Sequence, residues 1–140
     1  MIDIKTAVIG GAGFVGSRLS ERFDKLGLKY LICDINIEKQ SDNMIYLDVE
    51  SEKSLEQLEG FESIINLAAV HRDDVRPLIR YDDVNVQGAV NVCEAAKKYN
   101  ISKIVFTSSV AIYGFCSANT DESGLPNYFN DYGRSKFLAE

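Results

Sequence analysis

Short apolar runs alternate with stretches of helical periodicity along most of the chain. Ile4–Ile9 is a brief run with β-branched residues, stopped by Gly10-Gly11, and predicts a buried strand. From Phe14 to Leu26 the apolar residues recur at helical spacing (Phe14, Val15, Leu19, Phe23, Leu26), and Gly27 ends the helix. Tyr30–Cys33 is a second strand, closed by Asp34. The polar stretch Asn36–Asn43 reads as a loop, followed by a third strand over Met44–Val49. Ser51 suits the cap of a short helix reaching Leu58. Ser63–Ala68 is a fourth strand. A longer helix is expected over Asp83–Tyr99, with Val86, Val90, Val92, Cys93 and Ala96 on its inner side. Ile101–Ser108 is a fifth strand, apolar until its serine-rich end. Val110–Asn130 carries Gly, Pro, Asn and Asp and reads as a long surface loop, a feature that in compact domains is often functional. A last helix starts near Asp131.

Strands alternating with helices, each strand an almost unbroken apolar run, predict an α/β fold with a parallel sheet covered on both faces. The expected strand order is 3-2-1-4-5, a doubly wound sheet whose ligands sit at the carboxyl ends of strands one and four.

Composition narrows the setting. In 140 residues, 46% of them hydrophobic, there is material for one domain with a real core. The net charge of −6 argues against nucleic acid or an anionic membrane as partner, since either asks for a basic face. Three cysteines, Cys33, Cys93 and Cys116, form an odd set without metal-ligand spacing, so reduced thiols and no metal are expected. The opening Met-Ile-Asp-Ile-Lys has no basic leader and no cleavage site. No apolar run reaches membrane-spanning length. The expectation is a cytoplasmic protein.

The chemistry gathers at the predicted strand ends. Gly10-Gly11-Ala12-Gly13-Phe14-Val15-Gly16 joins the first strand to the first helix, with glycines at 10, 13 and 16. This is a variant of the Rossmann dinucleotide fingerprint: one glycine turns the chain, one admits a pyrophosphate to the backbone, one lets helix and strand pack closely. The helix N-terminus then offers free N–H groups to the phosphates. A carboxylate at Asp34 accepts both ribose hydroxyls of an adenosine and repels a 2′-phosphate. No arginine follows closely, so NAD is favoured over NADP. A solvated strand-end aspartate would occupy the same position. Asp48-Val49 ends the third strand where a side chain and a backbone amide can reach an adenine, although Asp48 also suits a turn. Asn66-Leu67-Ala68-Ala69 leaves room for a cofactor to cross the sheet edge, and tight helix–sheet packing would explain the small residues equally well.

Tyr132 and Lys136 fall at i and i+4, one above the other on a helix face. A free tyrosine, with a pKa near 10, is a poor base at neutral pH. A drop of about three units needs roughly 4 kcal/mol in favour of the phenolate. A cation about 4 Å away supplies roughly that much at an effective dielectric near 20. Lys136 therefore suits Tyr132 as an acid/base, while a plain surface helix fits the same spacing. Thr107-Ser108-Ser109 closes the fifth strand, where a hydroxyl can bond a reacting oxygen or simply cap the strand end. His71, the single histidine, has no obvious partner and is left out of the predicted site.

Together these segments resemble the extended short-chain dehydrogenase/reductases, especially the UDP-glucose 4-epimerase-like sugar-nucleotide epimerases and dehydratases. Besides the motifs above, Asn85-Val86-Gln87-Gly88 with Asn91 and Tyr113-Gly114 match, and the likeness runs through the whole chain in order. The resemblance implies a catalytic set of Ser109, Tyr132 and Lys136, with Asn85 helping to position the lysine through water. It implies a cofactor site of Gly10, Gly13, Phe14, Val15, Gly16, Asp34, Asp48, Val49, Leu67, Ala68, Ala69, Asn85, Tyr132 and Lys136, holding NAD. It also implies a nucleotide-sugar substrate and a homodimer formed through the Asp83–Tyr99 helix and the terminal helix. Two departures bear on the chemistry. The 4,6-dehydratases of this family carry an Asp-Glu pair after the catalytic hydroxyl residue, where this chain has Val110 and Ala111. Epimerase or simple oxidoreductase chemistry is therefore expected. Family members are also much longer, with a C-terminal region that recognises the sugar nucleotide. Residues 1–140 are thus expected to be the NAD-binding Rossmann domain, a fragment without that region and inactive alone.

Overall fold

In the computed structural model residues 6–37 and 43–140 are described. The start of the first expected strand, Ile4 and Lys5, and most of the expected Asn36–Asn43 loop lie outside them. Five strands, β1 (Thr6–Ile9), β2 (Tyr30–Asp34), β3 (Met44–Tyr46), β4 (Ser63–Asn66) and β5 (Lys103–Phe106), form one parallel sheet in the order β3-β2-β1-β4-β5. The expected order is the one found. β1 is central, flanked by β2 and β4, and buries Ala7, Val8 and Ile9 almost completely.

Helix α1 (Phe14–Leu26) has the expected bounds, but Phe14 and Val15 face outward, Phe14 with 81% of its surface exposed. Gly16 and Ser20 are the buried positions, and α1 leans on β2. β3 stops at Tyr46 rather than Val49. Leu47 and Val49 leave the ladder and turn into the core with Leu55, Leu58 and Ile64. Helix α2 (Glu52–Leu55) is capped by Ser51, whose hydroxyl accepts from the Ser54 amide, and runs on as a 3₁₀ turn to Leu58. β4 and β5 are likewise shorter than expected, because their serine- and alanine-rich ends leave the sheet to form the rim of a cleft.

The expected Asp83–Tyr99 helix is two pieces. A π-helical turn, Tyr81–Gln87, precedes α3 (Gly88–Lys98). The wider turn shifts the helical phase, so the buried face is Asn85, Gly88, Ala89, Val92, Ala95 and Ala96. Val90 and Cys93, expected inside, are exposed. β5 also departs from the expected double cover: it is an edge strand, and Val105 keeps 57% of its surface exposed. The 110–130 segment holds a 3₁₀ turn, Val110–Ile112, and is otherwise irregular; the rings of Phe115 and Phe129 meet 4.9 Å apart.

Helix α4 (Asp131–Ala139) starts where expected, capped by Asn130, whose Oδ1 accepts from the Gly133 amide at 2.8 Å. Its buried side is polar: Gly133, Ser135 and Lys136, with Phe137 and Leu138 turned outward. Arg134 donates to both carboxylate oxygens of Asp82 at 2.8 Å and to Asp131 at 3.2 Å. Asn130 Nδ2 donates to Asp73 at 3.0 Å. Polar contacts within this chain therefore hold the last helix down. Among the described residues, no helix is long and apolar enough to cross a membrane.

Candidate active site

A cleft of about 660 Å³ runs along the carboxyl ends of all five strands and is flanked by α4. Its floor begins at the glycine turn. Gly10 has φ +75°, and a Cβ there would lie 2.7 Å from the Ala68 amide nitrogen. A Cβ on Gly16 would lie 2.4 Å from the Gly11 carbonyl oxygen, so α1 approaches the turn only because that position is bare. α1 has no side-chain cap at Gly13 and no acidic residue in its first turn, which leaves its terminal N–H groups facing the cleft without a competing anion.

Asp34 is mostly buried at the end of β2. Its Oδ2 accepts from the Ala12 amide and its Oδ1 from the Asn36 amide, both at 2.9 Å. The carboxylate thus braces the glycine turn and still has lone pairs free, since two oxygens accept about four hydrogen bonds. Asp48 Oδ1 accepts from the Glu50 amide at 2.9 Å, the turn role weighed for it, and Asp48 and Val49 both line the cleft. Leu67, Ala68 and Ala69 line the opposite wall.

Tyr132 and Lys136 reach the same cleft from α4. Lys136 is 2% exposed, and its Nζ sits 4.1 Å from the centre of the Phe106 ring. Burial pushes its ammonium down to about 8, opposed by the nearby Glu140 carboxylate. An amine titrating there is still roughly nine-tenths protonated at pH 7.

Two expected site residues do not line the cleft. Ser109 Oγ accepts from the Ala111 amide at 3.1 Å and caps the 3₁₀ turn, the capping role open to that serine cluster. Asn85 is buried behind the wall, bonded to Val70 and, by a direct hydrogen bond to Ser135, to α4. In their place the lining includes Thr107 and Ser108 from the same hydroxyl-bearing strand end, His71, which was left out of the predicted site, and Arg80 and Glu50, which the sequence did not single out. Thr107 Oγ1 donates to the Asn66 carbonyl at 3.3 Å, and Ser108 bonds Glu140. Arg80 meets both carboxylate oxygens of Glu50 at 2.7 Å across the rim and holds that carboxyl below its ordinary range. His71 was findable: it follows β4 by five residues, at the edge where ligands of such sheets collect.

These features have counterparts in known proteins. Residues 6–140 match the family model described as NAD dependent epimerase/dehydratase family. An Escherichia coli O157:H7 protein named N-acetyl-alpha-D-glucosaminyl-diphospho-ditrans,octacis-undecaprenol 4-epimerase is 42% identical, over 95% of this chain and 40% of its own length. A putative UDP-glucose 4-epimerase of Methanocaldococcus jannaschii is 34% identical, over 95% and 48%. The Thermus thermophilus UDP-glucose 4-epimerase, solved in complex with NAD, superposes with a TM-score of 0.86 at 26% identity, covering 97% of this chain and 48% of that one. The chain thus spans less than half the length of these relatives. A match over nearly every residue, on a sheet of the same order with the glycine turn at its centre, means that this chain belongs to the NAD dependent epimerase/dehydratase family.

Proposed function

We propose that residues 1–140 are the NAD-binding domain of an enzyme that epimerises a sugar through transient oxidation of one of its carbons. The observation that carries this reading is that Tyr132 and Lys136 line the same cleft as the Gly10–Gly16 turn and Asp34. The residues fit the cofactor: a bare helix N-terminus for the pyrophosphate, a braced carboxylate for the adenosine ribose, small side chains at Ala68 and Ala69, and a buried cation at the far end. When bound, NAD supplies the hydride acceptor and donor. Tyr132 takes and returns the proton of the reacting hydroxyl. The hydroxyl that holds that oxygen comes from the Thr107–Ser109 strand end, where Thr107 and Ser108 line the cleft and Ser109 caps the next turn. Lys136 holds the ribose at the nicotinamide end and favours the phenolate of Tyr132 by its charge.

The substrate is a sugar carried on a diphosphate. A nucleotide carrier is supported by the relatives named for UDP-glucose, and a polyprenyl carrier by the 42% identical relative. Assays with UDP-sugars and with undecaprenyl-diphosphate sugars separate the two. A similarity to a uronate dehydrogenase, with a TM-score of 0.85, supports a second reading in which an oxidised product is released. Accumulation of NADH during turnover would favour that one. The setting is cytoplasmic and the assembly a homodimer through α3 and α4, a pairing supported by the exposure of Val90, Phe137 and Leu138. A clean monomer by light scattering at tens of micromolar would refute it. The catalytic assignment is tested by Tyr132→Phe in the whole enzyme, which deletes one hydroxyl and leaves Lys136 in place. Turnover is expected to fall roughly a hundredfold or more with cofactor retained. Near-normal turnover would overturn it.

A further inference from the structure

Two of the most deeply buried polar side chains, Asn85 at 3% and Ser135 at 0% exposure, line no part of the cleft and bond to each other. Asn85 Oδ1 accepts from the Val70 amide at 2.7 Å, and its Nδ2 donates to the Val70 carbonyl at 2.9 Å. The other Nδ2 hydrogen goes to Ser135 Oγ at 2.8 Å. Ser135 Oγ in turn donates to the Tyr132 carbonyl at 2.9 Å. Both amide hydrogens and the single hydroxyl hydrogen are therefore engaged. One end of this chain of bonds is Val70, in the cleft wall beside Ala69. The other end sits between Tyr132 and Lys136 on α4. Asn85 reaches both because it lies on the π-helical turn, a geometry that recurs at functional sites.

The helix itself does not call for this serine. Alanine is the better helix former, and a serine bonded back to its own helix slightly weakens it. Three hydrogen bonds of Arg134 and Asn130, to Asp82 and Asp73, already fasten α4 to its surroundings. What the buried bonds add is register between two parts of the cleft. We propose that Ser135 is a positioning residue for proton transfer, locking the helix of Tyr132 and Lys136 to the cleft wall at Val70 through Asn85. This rests on the reading of Tyr132 and Lys136 as the acid/base pair.

The test uses the whole enzyme with NAD bound. A misplacement of about 1 Å in a reacting group costs roughly a hundredfold in rate, so partial loosening in Ser135→Ala is expected to lower kcat roughly tenfold. The KM for the sugar substrate and the affinity for NAD should stay within about twofold, since neither side chain lines the cleft. Asn85→Ala should do the same, and the double variant no more than either single one, because both act through one bond. Ser135→Thr keeps the hydroxyl and should recover most of kcat. Ser135→Cys, a poor acceptor of similar shape, carries the same expectation as alanine at smaller size and decides the matter if the alanine protein does not fold. Unchanged kcat would overturn the proposal. So would losses of kcat, substrate affinity and NAD affinity in equal measure, or additive losses in the double variant. Tyr132→Phe separates the two failures: full turnover in that variant sinks the acid/base reading itself. An inactive Tyr132→Phe beside a fully active Ser135→Ala sinks only the role of Ser135.

Discussion

The two ends of the cleft are built in different ways. At the glycine-turn end the hydrogen-bonded joints all fall between Gly10 and Asn36, and the backbone makes them. The Gly10 amide donates to the Cys33 carbonyl at 2.8 Å, and the Ala12 and Asn36 amides converge on Asp34. At the α4 end the joints are side chains drawn from distant parts of the chain: Arg134 to Asp82, Asn130 to Asp73 and Ser135 to Asn85, each bridging fifty residues or more. α4 buries mostly polar positions, whereas β1 buries three apolar ones in a row. An element held by few apolar contacts opens at lower free energy than the core around it. The glycine-turn end is thus fixed by sterics and the α4 end by a few exchangeable bonds. The rigid end suits a cofactor that stays, the other a pair of groups that must be aligned.

The largest expected effect breaks the rigid end. In Gly16→Ala the new Cβ would meet Gly11 backbone atoms at 2.4 and 2.5 Å, and backbone cannot yield as a flexible side chain does. A stability loss of about 3 kcal/mol is expected, together with loss of NAD binding. A wild-type thermal midpoint in this variant would mean that the close approach of α1 is not needed.

Next comes the buried cation at the other end. Lys136 titrates near 8 in the fold against about 10.4 in an unfolded chain. Between those values the unfolded chain binds more protons, so stability rises with pH through that window, and below pH 8 the full burden of burial is present. Lys136→Met is therefore expected to stabilise the domain at pH 7 by up to about 3 kcal/mol, narrowing toward zero above pH 10. Urea unfolding at both pH values checks this. A gain that does not shrink with pH would assign it to packing rather than charge.

Cofactor choice sharpens the comparison from the glycine-turn side. The Asp34 carboxylate faces the cleft with no arginine beside it in sequence, so NAD should bind at least roughly tenfold tighter than NADP, about 1.4 kcal/mol. Titration of both cofactors decides, and equal affinities would remove Asp34 from the ribose site.

The smallest effect is the most local. Asn130→Ala deletes the cap of α4 and should cost about 1 kcal/mol. Hydrogen exchange should then quicken at the amides of α4 while those of β1 and β2 keep their rates. Equal acceleration at both ends would mean that the cleft opens as one unit.

Much of this architecture was legible from residue pattern alone, and the α4 end shows where legibility stopped. The bounds of α1, the glycine turn, Asp34 at the tip of β2, the start of α4 and the order of the sheet all follow from local rules: apolar period, glycine punctuation, and the short connections of alternating strands and helices. Such rules act over ten or twenty residues, and so does a hydrophobic period. They place Tyr132 above Lys136 on one helix. They do not say that Lys136 will be buried against Phe106, that Val90 will face out because a π-helical turn shifted the phase of α3, or that Ser109 will cap a turn. Those outcomes depend on which side chains from distant segments meet as the layers close, where satisfying a buried polar group outweighs local preference. The sequence by itself determined the sheet, the glycine turn and the helix that carries the candidate acid/base pair. Only the tertiary structure decided that Asn85 and Ser135 would join that helix to the cleft wall, because a hydrogen bond between residues fifty apart leaves no local periodicity to read.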